Sequence, residues 1–324
     1  GRWRCRKSAT PAAASPPWIS TFTTSTPSRS MTSSRREPRG SSAQSSRTSR
    51  TRGTSQDFAR RAITRADTPS FRAPSIKDET ASEERANTRA DGSGFPAFAP
   101  GNATGLSARC KLILIDARGH GASDKPHCPQ DYGGAIHATD VLAVLDVLDL
   151  GSADFWGHSL GGNVALSLAR LAPERMQQIV ITGYSPFPAA GAEAAEMAAW
   201  ASDLQGGMAG FVSGYESRHG ALPADVRARW LENDGAALAA CVAAMIAEAD
   251  GRHLAFLPHL SAPALFLVGG EEPFVGEAQR AAAMMPAGHC EVLPGLDHVQ
   301  TFLRSDLLLP LVLDFLRGSG SSER

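Results

Sequence analysis

From residue 111 onward the chain alternates short apolar runs, each bounded by turn residues, with segments whose apolar side chains recur at helical spacing. Strands that follow one another through helices must run parallel, so this alternation restricts the fold to an α/β class with a parallel sheet. The run KLILID (111–116) is apolar at nearly every position, as expected of a strand covered on both faces. In AIHATDVLAVLDVL, Ile136, Val141, Leu145 and Leu148 fall on one helical stripe. A strand at ADFWG, a helix at 160–171 and a strand at QIVITG follow, then a long Ala- and Met-rich segment. The pattern closes with a strand at ALFLVGG, a helix near 277–285, a strand at CEVLPG and one final helix at 299–316. Five strands are recognisable.

The first third of the chain has a different composition. Residues 1–105 contain no Val and no Leu, three Ile and five Phe. That is far below the roughly 20% of Ile, Leu, Val and Phe under which a charged segment stays disordered. Residues 1–100 carry 18 Lys+Arg against 8 Asp+Glu, so the overall net charge of −1 conceals a basic start and an acidic remainder. Arg, Ser, Thr, Ala and Pro fill this stretch without helical or strand period, and residues 1–105 are expected to be a low-complexity, irregular segment preceding a domain over 106–324. It shows no sustained amphipathic face of a transit peptide, and its arginines are scattered without the aromatics of a nucleic-acid arm. The chain starts at Gly1 without an initiator Met, as a fragment would.

Five cysteines, Cys5, Cys110, Cys128, Cys241 and Cys290, form no C-x-x-C pair and are odd in number. Neither a zinc site nor a disulfide framework is expected, and a reducing, cytoplasmic setting fits. The longest apolar stretch, LLLPLVLDFL, is too short to span a bilayer and is interrupted by Pro310 and Asp314. No metal, cofactor, nucleic-acid partner or membrane partner is expected.

The chemistry concentrates in DFWGHSLGGNVALSLARLAPER (154–175), where Gly157-His158-Ser159-Leu160-Gly161 forms a G-x-S-x-G pattern between a strand and a helix. Small flanking residues let the backbone turn sharply and lift the Ser159 oxygen clear of it. Leu160 opens the following helix, so its N–H is placed to donate to a developing oxyanion with the helix dipole behind it. A serine hydroxyl reacts only when a base takes its proton and a carboxylate orients that base. His298, in the loop LPGLDHVQTF after the last strand, is the candidate base, and LFLVGGEEPFV offers Glu271 and Glu272 as the acid. His158, beside the serine, is expected to point away and serve packing.

Residues 111–316 resemble the α/β-hydrolase fold family, in its branch of single-domain serine esterases and related lyases. DARGHGASDKP (116–126) is similar to that branch's D-x-R-G-x-G-x-S motif, GHSLGG to its nucleophile elbow, LVGGEEP to its acid strand and GLDHVQTF to its histidine loop. The order Ser159, Glu272, His298 matches the family's Ser…Asp/Glu…His order, and position within the acid motif selects Glu272 over Glu271. The resemblance implies hydrolysis of a carboxylic ester or related acyl bond without a cofactor. C–C bond hydrolysis, lactone opening and perhydrolysis use the same triad, and a non-catalytic ligand binder is the alternative of another class. The resemblance further implies that residues 184–257 form a helical cap, with Tyr184, Phe187, Trp200 and Met208 as candidate substrate-lining residues. Arg118 and His120 are expected to brace the loop.

The resemblance also implies three strands before KLILID, the third ending in an H-G motif that supplies a second oxyanion donor. No His occurs before residue 120, and WISTFTT (18–24) is the only strand-like run upstream, so the core is expected to be incomplete. Two inner strands would then keep unpaired backbone groups, each costing about 1–3 kcal/mol when buried. The first hundred residues are accordingly expected to be foreign to the fold, of the composition an out-of-frame reading of GC-rich coding DNA yields.

Overall fold

A computed structural model of the chain describes residues 21–26, 76–78, 105–106, 111–121 and 123–318. The described strands are β1 (Thr21–Thr26), β2 (Ile76–Asp78), β3 (Lys111–Asp116), β4 (Ala153–His158), β5 (Met176–Thr182), β6 (Ala264–Gly269) and β7 (Gly288–Leu293). They form one sheet in the order β2-β3-β1-β4-β5-β6-β7. Strands β4 to β7 are parallel, as the alternation of strands and helices requires.

The middle of the sheet departs from expectation. β1 lies between β3 and β4 and is antiparallel to both, with Thr23 opposite Leu114 on one side and Trp156 on the other. The gap predicted there is closed: β1 supplies backbone partners to the two inner strands, in the reverse of the direction that the family resemblance implies. β2 pairs antiparallel with the far side of β3. The rest of 1–104, including most of the segment expected to be irregular, lies outside the described residues.

The helices are α1 (Gly134–Val147), α2 (Leu160–Leu171), α3 (Gly191–Asp203), α4 (Gly207–His219), α5 (Ala224–Leu231), α6 (Gly235–Glu248), α7 (Val275–Met284), α8 (His298–Leu303) and α9 (Ser305–Gly318). Alternating side chains along β3 to β6 divide between two cores, as the period of two demands. Ile113, Ile115, Phe155, Ile179, Ile181, Phe266 and Val268 face α1, α2, α7 and the helices inserted between β5 and β6. Leu112, Trp156, Val180, Leu265 and Leu267 meet Leu308 and Val312 of α9 on the other face. β6 is buried throughout and β7, at the edge, is only half buried.

The final helix is two, broken at Arg304, whose carbonyl accepts the N–H groups of Leu307 and Leu308 and so opens α9. Cys128 is disulfide-bonded whereas Cys241 and Cys290 are free, which corrects the expectation of no disulfide; an odd count does not forbid one bridge. Among the described residues no helix is long and apolar enough to cross a membrane.

Candidate active site

Ser159 sits at the carboxyl end of β4, immediately before α2, with φ 54° and ψ −115°. A positive φ in a residue with a Cβ is uncommon and strained, and such strain persists where the surroundings hold it in place. Here the Ser159 N–H donates to the Thr182 carbonyl at 2.8 Å and the Ser159 carbonyl accepts from Gly162 N–H at 2.8 Å. Gly157 is required for a different reason, since a Cβ there would run into the carbonyl of Gly161. The two glycines flanking the serine thus let the strand and the helix meet at close range.

His298 is the first residue of α8. Asp297 caps that helix in a reciprocal capping box with Gln300, which fixes the angle at which the histidine leaves the loop. Its Nε2 lies 3.1 Å from Ser159 Oγ, across 139 residues of sequence, and its Nδ1 lies 2.9 Å from Glu272 Oε2. The Glu272 side chain is fully buried, and its other oxygen accepts the Gly269 N–H at 3.1 Å. A buried carboxylate on Nδ1 holds the proton there and leaves Nε2 free to accept from serine. Burial opposes the charged imidazolium, but Glu272, with Asp297 and Glu193 adding to it, raises His298 above the ordinary histidine value. Glu271 is exposed and turned to the loop, its N–H donating to the Leu296 carbonyl.

His158 does not point away from this group. Its ring centroid lies 4.7 Å from that of His298 and 5.2 Å from that of Phe302, and its Nδ1 is 3.1 Å from Thr182 Oγ1. Burial, and then the neighbouring His298, hold it well below the ordinary histidine value, so the ring that supports His298 is neutral.

The remaining predicted residues separate. Trp200 of α3 comes to the site, its ring centroid 6.4 Å from that of His298, with Nε1 donating to Glu196 at 2.7 Å. Tyr184 packs against the first turn of α2, where a Cβ on Gly162 would strike it, and its hydroxyl reaches Asn163 Oδ1 at 3.5 Å. Phe187 lies under the Arg280 guanidinium, 4.2 Å from its ring centroid, and Met208 is buried in the core of the inserted helices. Among the described residues no hydrogen bond or ring contact joins these last two to Ser159 or His298. The Leu160 N–H opens α2 beside the serine, as expected. Arg118 forms a forked pair with Asp140 of α1 at 2.8 and 3.1 Å, and buried His120 lies 3.0 Å from the Arg118 carbonyl, which fits the loop-bracing role.

Two features escaped the sequence reading. Glu193, in the first turn of α3, interacts electrostatically with both His298 and Glu272. Glu248, at the end of α6, accepts from Asn163 Nδ2 and from Gly134 N–H, each at 2.8 Å, joining the inserted helices to α2 and α1. Neither carboxylate belongs to a short motif; only the fold brings it to its partners. Among the described residues no cluster of three metal-ligating side chains occurs.

A family model described as "alpha/beta hydrolase fold" matches residues 92–238. The chain is 28% identical over 228 residues to 2-(acetamidomethylene)succinate hydrolase of Mesorhizobium japonicum, covering 65% of this chain and 80% of that protein. It is 32% identical over 113 residues to 2-hydroxymuconate semialdehyde hydrolase of a Pseudomonas species, covering 31% of this chain and 40% of that protein. Among solved structures, a hydrolase from Pseudomonas aeruginosa superposes with a TM-score of 0.55 at 28% identity, covering 66% of this chain and 82% of its own.

Proposed function

Because the chain belongs to the α/β-hydrolase fold family, we propose that it is a serine hydrolase of carboxylic esters or related acyl compounds, with Ser159 as nucleophile, His298 as base and Glu272 as the carboxylate that orients it. The observation that carries this reading is the continuous path from Ser159 Oγ through His298 to buried Glu272, at 3.1 and 2.9 Å.

In this mechanism His298 Nε2 takes the Ser159 proton as Oγ attacks the acyl carbon, and the Leu160 N–H receives the negative charge forming on the carbonyl oxygen. The imidazolium, stabilised by Glu272, then returns its proton to the leaving alcohol. Water, deprotonated by the same nitrogen, releases the acid and restores the serine. The inserted helices α3 to α6 act as a cap, with Trp200 and Tyr184 facing the substrate. Loss of one of two oxyanion donors slows kcat on the order of 10²- to 10³-fold, and the missing H-G motif makes this chain a slow member of its class.

Short-chain p-nitrophenyl esters test the reading. Turnover that disappears in Ser159→Ala and in His298→Ala, with both variants folded, is expected. Equal rates in the wild type and Ser159→Ala would overturn it. The similarity to 2-hydroxymuconate semialdehyde hydrolase favours a second reading, hydrolytic C–C cleavage by the same residues. A vinylogous 1,5-diketone cleaved faster than any ester would select it.

A further inference from the structure

We propose that Glu193 makes this site selective for acyl substrates bearing a positively charged nitrogen; the inference rests on the ester-hydrolase reading above. Glu193 and Trp200 are seven residues apart on α3, two helical turns, and so share a face. Trp200 on that face lies 6.4 Å from the His298 ring. The Glu193 carboxyl accordingly meets His298, Glu272, Glu277 of α7 and Tyr184 in electrostatic interaction. It has no hydrogen-bond or ion-pair partner among the described residues, although it is only partly exposed.

The cations around it are otherwise engaged. On α4, Arg218 and His219 both pair with Glu196, and Arg218 also with Asp203. Glu248 is the one charged residue of α6, and Arg252 beyond it is held by Glu248 and Asp250. On α7 the Arg280 guanidinium lies on Phe187. What remains is an unpaired carboxyl within electrostatic reach of His298, with Glu277 close by. A carboxylate on the substrate would be repelled, whereas an ammonium would replace the missing partner.

Burial first, and Glu277 second, push the Glu193 carboxyl up to about 7. It is therefore neutral below that pH and anionic above it, and preference for a cation must appear as pH rises through about 7. His298 also titrates, but its effect on kcat/KM is common to two matched substrates and cancels in their ratio.

The test uses the full chain and two ester pairs, each differing only in a trimethylammonium or an uncharged tert-butyl end. Acetylthiocholine against S-(3,3-dimethylbutyl) thioacetate places the charge on the leaving group. The p-nitrophenyl esters of 4-(trimethylammonio)butyrate and 5,5-dimethylhexanoate place it on the acyl group. In at least one pair the cationic-to-neutral ratio of kcat/KM is expected to rise about tenfold between pH 6 and pH 8, and to become flat in Glu193→Gln. Turnover with a ratio independent of pH in the wild type, or a rise retained in the variant, would overturn the role of Glu193 and leave the hydrolase reading standing. No turnover of any of the four esters would overturn both. A flat wild-type ratio overturns the proposal even if Glu193→Gln fails to fold, and Glu193→Ala then serves as the second variant, in which the ratio is likewise expected to be flat.

Discussion

Glu272 and His298 control each other's chemistry across 2.9 Å, and the direction of that control is measurable. Since Glu272 raises His298 above 6.5, the acid limb of kcat/KM should lie above that pH. In Glu272→Gln the largest of the raising interactions is lost while burial still lowers the histidine, so the limb should move to lower pH while kcat falls on the order of 10²- to 10⁴-fold. A limb that stays in place would show that the carboxylate does not act on the histidine. The linked stability has a definite sign. A raised histidine stabilises the folded state fully below its unfolded value, and that stabilisation is lost as pH rises through the folded value. Ser159, Glu272 and His298 were legible because each sits in a short motif at a strand end, where a few neighbouring residues fix the backbone. The His158 ring contact and Glu193 were not, because neither spacing nor composition tells which ring or carboxyl a distant helix will bring alongside.

At the level of elements, the strands from 111 onward were readable from their apolar runs, since a buried parallel strand needs side chains for both cores and sequence displays that directly. β1 was not. TFTTST has the β-branched threonines of a strand but a single large apolar residue, and its place follows from the open edges of β3 and β4 rather than from its own pattern. Pairing on both sides makes its backbone testable. Thr23→Pro removes an N–H from the middle of the sheet and should lower the denaturant midpoint by the equivalent of about 1–3 kcal/mol. An unchanged midpoint would remove β1 from between its neighbours. The break at Arg304 was equally hidden, because nothing in LRSD interrupts a helical pattern; the N–H groups of Leu307 and Leu308 mark it only once the chain has turned.

On the scale of the whole molecule, the inserted helices are held to the core by Glu248. Its carboxylate reaches the N–H at the start of α1, the Asn163 amide just after the nucleophile elbow, and Arg252 at 2.9 Å. Glu248→Ala leaves those donors without their charged acceptor, and a loss of about 2 kcal/mol in unfolding free energy is expected, read from the denaturant midpoint. Stability equal to the wild type would mean that these contacts do not join the inserted helices to the core. In the proposed mechanism this joined scaffold makes one serine out of many reactive toward acyl-like electrophiles. Intact-mass measurement after treatment with diisopropyl fluorophosphate reads that directly. A single phosphoryl adduct per chain is expected, located at Ser159 and absent from folded Ser159→Ala. An unmodified wild-type chain, or an adduct that persists in the alanine variant, would contradict it.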